Sequence, residues 1–271
     1  MKRNAFSRAR KWTGRLAWIP ALALANVRSE TARPWNAALL AVFMALNNFV
    51  WFAIWWLFFG LAGSVRGWTL RDVTELYGVV AVAYGIYAAF FGGARSVAQL
   101  ALDGGLDVYL GRPRSPLLGV LFSRSDPTGL GDIVSGIALI AWAAATPGEL
   151  LLALGLAALG TSVVVATYVS INCLVFFTAA PARLFDQLFE CFLIAATTPQ
   201  IGLPMAAKLL LYTVLPAAFV GFLPVQILRS FSAAELGATA AAALVFPVLA
   251  ALLFRVGLKR YASGNRMLDT R

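Results

Sequence analysis

The sequence predicts an all-α, polytopic membrane protein with six transmembrane helices. An amphipathic helix precedes them on the membrane surface, and a short cytoplasmic helix lies between the second and third spans. Three observations carry that prediction. Apolar residues make up 61% of the 271-residue chain and charged residues only 13%, at a mean hydropathy of +0.79, whereas about a quarter of the residues of a soluble domain are charged. Charge-free windows approaching the ~20 apolar residues of a spanning helix recur along the chain. The cations are distributed unevenly about those windows.

Taken in order, the windows are Pro34 to Val65, Leu76 to Ala94, Ile133 to Gly148, Leu150 to Ala182, Cys191 to Ala207, Leu209 to Leu228 and Leu236 to Phe254. The third is short, but "TGLGD" before it extends it and leaves Asp132 near the membrane surface. The fifth has 17 residues with Pro199 and Pro204 around "TTPQIGLP". Prolines so placed break helices, so this window reads as a broken, re-entrant or interfacial segment, leaving six spans.

Parity agrees. With the N-terminus inside, the cytoplasmic side holds eight cations before Pro34, four from Arg95 to Arg124, Arg183 and Lys208, and five from Arg255 onward. Only Arg66, Arg71 and Arg229 fall outside. A seventh span would put the basic C-terminal segment on the wrong side.

Residues 1–33 read as a cytoplasmic interfacial helix. Trp12, Leu16 and Ile19 share one stripe at helical spacing, and Arg8, Lys11 and Arg15 form the adjoining one, so basic side chains reach headgroups beside a buried apolar edge. A disordered basic tail is the competing reading. Residues 34–257 carry the six spans and 258–271 a cytoplasmic tail, with no internal repeat and no soluble domain, so 1–271 reads as one transmembrane domain.

The net charge of +10 is explained by cations meeting anionic headgroups at the ends of spans, and nucleic acid is not an expected partner. Cys173 and Cys191 have no pairing or metal spacing and read as small apolar residues. No metal site is expected.

"DGGLDVYLGRPRSPL", residues 103–117, interrupts this apolar pattern on the cytoplasmic side. Gly104 and Gly105 end the preceding helix. Leu106, Tyr109 and Leu110 then share a face, with Asp107 off it, and Pro113 stops the helix at Arg112. A one-turn apolar face is not stable in water unaided, so it requires a partner surface. The bland alternative is a cap on a helix hairpin that binds headgroups.

These residues carry a family resemblance. "GWTLRDVTELYG" (Gly67 to Gly78), "GGLDVYLGRPRSPLLGVL" (Gly104 to Leu121), "LPAAFVGFLPVQIL" (Leu215 to Leu228) and "GLKRYASG" (Gly257 to Gly264) resemble, in order, the membrane subunits (permeases) of type-two ATP-binding-cassette exporters, in particular the compact six-span bacterial branch. The resemblance implies a bacterial inner-membrane, multi-pass protein with both termini cytoplasmic. It also implies that 103–117 is a coupling helix seated in a separate ATPase subunit. Leu106, Asp107, Tyr109, Leu110, Arg112 and Pro113 would form the docking knob, and the N-terminal helix would touch the same subunit. ATP and Mg would be bound by that partner, and a second permease, a copy or a homologue, would complete the pathway.

The chain has no G-x-x-x-x-G-K-[ST] phosphate loop, so it is expected to carry no nucleotide and no cofactor of its own. With no His and no paired carboxylates at span ends, acid–base or metal catalysis has few candidates. Asp186 and Glu190, one turn apart, read as a solvated face or as partners of Arg183. Ion-coupled transporters place ionisable residues within their spans, and the proposed span cores hold no Asp, Glu, Lys or His, which favours an external motor.

Candidate pathway residues are the polar groups at membrane depth: Asn47 and Asn48, Tyr77, Tyr84 and Tyr87, and Thr161, Thr167, Tyr168, Ser170 and Asn172. Such groups also serve simply to join helices. "FVWFAIWWLFFG" (Phe49 to Gly60) would line an amphiphile's path or face lipid and the outer interface. Pro216 and Pro224 are expected to bend the fifth span and to form an outer gate with the first two spans. The alternative function is force transmission to an extracytoplasmic partner without transport, against which stands the small outer loop Ala62 to Glu75.

Overall fold

A computed structural model describes residue 26 and residues 34–112, 115–178, 180–200 and 202–261. The interfacial stripe of Trp12, Leu16 and Ile19, Pro113, and most of the 258–271 tail lie outside the described residues. Among those described, the only β-pairing is the isolated bridge between Val65 and Trp68; everything else regular is helix.

Four helices are long and apolar enough to cross a bilayer: α1 (Pro34–Ala62), α2 (Leu70–Phe91), α7 (Pro147–Cys173) and α11 (Ala233–Leu258). α2 continues through a 3-10 turn and α3 (Val97–Leu102) to Leu102. Then come the one-turn α4 (Asp107–Leu110), α5 (Pro116–Leu121) and the shorter apolar α6 (Thr128–Ala143). α8 (Ala182–Thr197), α9 (Met205–Thr213) and α10 (Phe222–Arg229) separate α7 from α11.

Local chemistry sets where the long helices begin. Thr69 caps α2 in a reciprocal box with Asp72, and the Thr146 and Ser232 hydroxyls accept from the backbone N–H of Glu149 and Glu235 at the starts of α7 and α11. Each cap satisfies orphan donors and places a carboxylate in the first turn, where the helix dipole favours it.

α2 lies at the centre, with α6, α7 and α1 around it. It approaches α6 along a glycine seam. A Cβ at Gly85 would stand 2.7 Å from the Gly129 carbonyl, and one at Gly136 would stand 2.7 Å from that of Gly78. Lipid offers no hydrophobic drive between helices, so close backbone contact supplies the packing energy. α1 meets α6 the same way, with a Cβ at Gly131 reaching to 2.1 Å of the Ala41 carbonyl. Gly155, by contrast, faces open space. Most of the large apolar side chains of α1, α6 and α11 point outward, Phe52, Phe59, Ile140 and Phe254 being buried exceptions, as expected of surfaces solvated by lipid.

The structure corrects the sequence reading between 183 and 229. α8 starts beside Arg95, whose Nε lies 3.4 Å from Asp186. It ends beside Leu76, since a Cβ at Gly221 would meet both the Ala196 carbonyl and Leu76 Cδ1. Its 16 residues therefore run antiparallel to α2 over about 24 Å. The expected fifth span, Leu209 to Leu228, is instead bent by 76° between Met205–Thr213 and Ala217–Arg229. Both its ends lie at one end of the molecule: Gly202 abuts the Arg66 guanidinium, and Arg229 reaches Asp72 and the Gly67 carbonyl. The apolar run at 209–228 looks like a span by composition, yet it is broken by a 76° bend, and the residues flanking it on both sides meet the Arg66–Asp72 end of the molecule.

Pro216 sits at that bend, whereas Pro224 is the third residue of α10. There its missing N–H would have had no helical partner anyway, so only Pro216 bends the chain.

Candidate functional site

Of the segment read as a knob, the structure describes 103–112 and 115–117, with a one-turn helix at Asp107–Leu110. After Leu102, Gly104 adopts φ +74°, a conformation that side chains rarely tolerate, and the chain reverses. The N–H of Leu106 donates to the Leu100 carbonyl, and the N–H groups of Tyr109 and Leu110 donate to Leu106. Leu106 is fully buried. Tyr109 lies against Gly119, where a Cβ would come within 3.1 Å of its ring, and Arg112 stacks over the same ring at 5.5 Å.

The apolar stripe is therefore divided. Leu106 anchors the knob to its own protein and is not available to a partner, and Tyr109 is half-buried. Val108 and Leu110, 59% and 42% exposed, form the outward apolar tip beside Arg112. Val108 was missed because helical periodicity places it off the Leu106–Leu110 stripe.

The knob also touches the end of α11. Burial, reinforced by the charge and hydrogen bonding of Asp107, pushes the pKa of the Tyr261 hydroxyl up to about 12. The Tyr261 ring packs edge-on against Phe176, which does the same against Phe254. Leu106 through α3, and Asp107 through Tyr261, thus join one helical turn to three long helices.

The candidate pathway residues do not converge on a polar channel among the described residues. Tyr84, Tyr87 and Tyr168 stack with Phe189 between α2, α7 and α8. The Tyr168 hydroxyl donates to Asp186 at 2.7 Å. Asp186 thus pairs with Tyr168 and Arg95, in place of the partnership with Arg183 expected from spacing, while Glu190 is exposed. The Asn172 side chain accepts from the Ala98 N–H and donates to the Tyr168 carbonyl. The Thr161 hydroxyl donates to the Ala83 carbonyl, and Trp55 Nε1 donates to the Tyr77 hydroxyl at 2.7 Å. These groups join helices. Asn47 is exposed on α1.

Two arrangements escaped sequence reasoning. At the Leu70 end, Arg71 Nε lies 3.0 Å from Glu75 and its guanidinium also pairs with Glu149, while Arg229 pairs with Asp72 at 3.2 Å. These pairs tie α2 to α7 and α10. Only the Arg71/Glu75 spacing was visible in sequence; the other partners come from the tertiary fold.

Asp132 is the second. It was expected near the surface, yet it is 2% exposed. Neighbouring Gly129 and Gly136 contact Gly85 and Gly78, which puts it level with the middle of α2, about 18 Å from the Leu70 end, so the expectation that the span cores hold no carboxylate fails at α6 and no longer weighs against ion coupling. Asn48 Nδ2 donates to Asp132 at 2.7 Å and to Ser135 at 2.9 Å, so Asn48 is a bridge from α1 to α6.

A bundle of apolar-surfaced helices around a glycine-packed centre, with a short helical turn outside it, defines an integral membrane protein. The family model of the ABC-2 family transporter protein matches residues 18–264, and the chain belongs to that family. No curated protein and no solved structure matches it significantly. Members of the family are the membrane components of ATP-binding-cassette transporters, which implies pairing with an ATPase chain.

Proposed function

We propose that this chain is the transmembrane subunit of an ATP-driven exporter. In this reading it forms the substrate pathway and couples to a separate ATPase through the 103–117 knob. The observation that carries the reading is the family match across nearly the whole chain, joined to a knob whose exposed tip is Val108 and Leu110. The chain is not itself an enzyme; ATP and Mg are bound by the ATPase, and a second permease completes the pathway.

Six spans are α1, α2, α6, α7, α8 and α11, with both termini on the cytoplasmic side of a bacterial inner membrane. α9 and α10 form a re-entrant hairpin from the outer side. Support comes from the side-sharing of Gly202, Arg229 and Asp72 and from Arg95, Arg112, Arg124 and Arg183 collecting at the opposite end. The hairpin is the outer gate: Trp68 stacks on Phe222 at 6.0 Å, and Phe59 of α1 shares that apolar cluster.

The test is co-purification from membranes, with mass spectrometry of bound proteins and an ATPase assay. Wild type is expected to bring down an ATP-binding-cassette subunit and a Val108→Asp, Leu110→Asp variant to lose it. Capture of the same ATPase by both would move the docking site elsewhere, and capture by neither would overturn the reading.

A further inference from the structure

The buried acids of this chain differ in what faces them. Asp72 pairs with Arg229 and Glu75 with Arg71. Asp132, level with the middle of α2, has no ion-pair partner among the described residues. Its Oδ1 accepts from Asn48 Nδ2 at 2.7 Å, and its Oδ2 is buried with no hydrogen-bond partner among the described residues. The titratable groups close enough to act on it are Asp126, just before α6, and the Tyr84 phenol of α2. Neither is a cation, and α1 carries no charged residue.

Water is kept from the site as well. On one side Gly129 and Gly136 stand against the Gly85 and Gly78 carbonyls, and on the other Gly131 stands against the Ala41 carbonyl. Asn48 and Ser135 line the apolar cleft between α1 and α6, and Asp132 lies behind them. As the fifth residue of α6, Asp132 is also past the first turn, where the helix dipole favours an anion. An enclosed charge without a counter-ion costs far more than an enclosed hydroxyl without an acceptor, and a carboxyl so placed neutralises by keeping its proton.

We propose that Asp132 is a proton-binding site: in the folded protein its carboxyl is the neutral acid under conditions that ionise ordinary aspartates, with Oδ1 the carbonyl oxygen that Asn48 donates to and Oδ2 the oxygen that carries the proton. The neutral acid keeps the Asn48 bridge from α1 to Asp132 and Ser135 of α6 free of charge. Losing the proton places an unpaired charge on that bridge, so proton binding strengthens the α1–α6 contact. The site goes beyond the exporter reading and is independent of it: the proton is read without an ATPase, and ATPase capture is read without Asp132.

The experiment is isotope-edited infrared spectroscopy of the full chain in phosphatidylcholine nanodiscs, with the side-chain carboxyl carbon of aspartate labelled with carbon-13. Spectra are taken at about pH 6, roughly two units above the ordinary aspartate value, where solvent-facing aspartates are ionised. Wild type is expected to show a protonated-carboxyl C=O band that the label shifts to lower frequency, which separates it from any glutamate, Glu75 included. Asp132→Asn should abolish that band. Asn48→Ala, which frees Oδ1 of its donor, should move it to higher frequency and assigns it should Asp132→Asn fail to fold. A labelled wild type with no acid band would overturn the proposal, as would a band that persists in Asp132→Asn or stays in place in Asn48→Ala.

Discussion

The Arg229 guanidinium lies 3.2 Å from the Asp72 carboxylate and donates to the Gly67 carbonyl at 2.6 Å. This fastens the returning arm of the 205–229 hairpin to the first turn of α2. Asp72 is 5% exposed and also accepts from Thr69 in the capping box, so it holds α2's cap and the hairpin's end together.

Arg229→Ala leaves that carboxylate short of its charged partner. The expected cost is about 1–3 kcal/mol, read as a lower thermal midpoint in detergent. Adding Asp72→Asn to Arg229→Ala should recover part of the loss; a double variant less stable than the single would show that the cap, not the pair, matters.

The glycine seam between α2 and α6 predicts a contrast. Gly136→Val drives its side chain against the Gly78 carbonyl and Val82, costing about 1–3 kcal/mol or more through overpacking. Gly155→Ala meets nothing within 4 Å and should be neutral or stabilising by up to about 1 kcal/mol through helix propensity. Thermal unfolding of the two purified variants checks both.

Within the knob, position decides the phenotype. Leu106→Ala empties a fully buried site and should cost about 2–5 kcal/mol. Val108→Asp and Leu110→Asp alter exposed positions and should leave the thermal midpoint within the effect of about 0.5 kcal/mol while removing the ATPase. A Leu106→Ala protein of wild-type stability would contradict the anchoring role.

Pro224→Ala should be silent in stability, within about 0.5 kcal/mol, because Pro224 lies in the first turn of α10. Pro216→Ala, at the bend, should lose about 0.4–1 kcal/mol by freeing the unfolded chain. Thermal midpoints that rank the two the other way would place the bend's constraint elsewhere.

Tyr261 predicts an alkaline effect. Its pKa lies at about 12, above the ordinary 10, through burial and Asp107, so the folded protein holds the phenol proton more tightly than the unfolded chain does. That contribution is complete below pH 10 and is lost as pH rises toward 12. Tyr261→Phe should flatten the fall in thermal midpoint over that window by one titrating group; an identical pH profile would remove the Tyr261 contact from the account.

Composition and charge-free windows by themselves determined that the chain is a helical membrane protein, because the bilayer imposes length and apolarity on every crossing segment. Gly104, the short helix after it and the four ordered motifs were legible too, since turn chemistry and family patterns are local. The tertiary structure alone decided the rest. The 209–228 run is apolar enough to cross and α8, with Arg183, Asp186 and Glu190, is less so, yet the neighbours of Gly202, Ala196 and Arg229 show that the 209–228 run bends back while α8 runs along α2. Asp132 read as a surface group because helical spacing gives a residue's face but not its depth, and depth was set by where the glycines of α6 meet those of α2. Leu106 and Leu110 share a stripe in sequence; which of them is spent inward depends on α3 folding back beneath the knob, a contact no periodicity encodes.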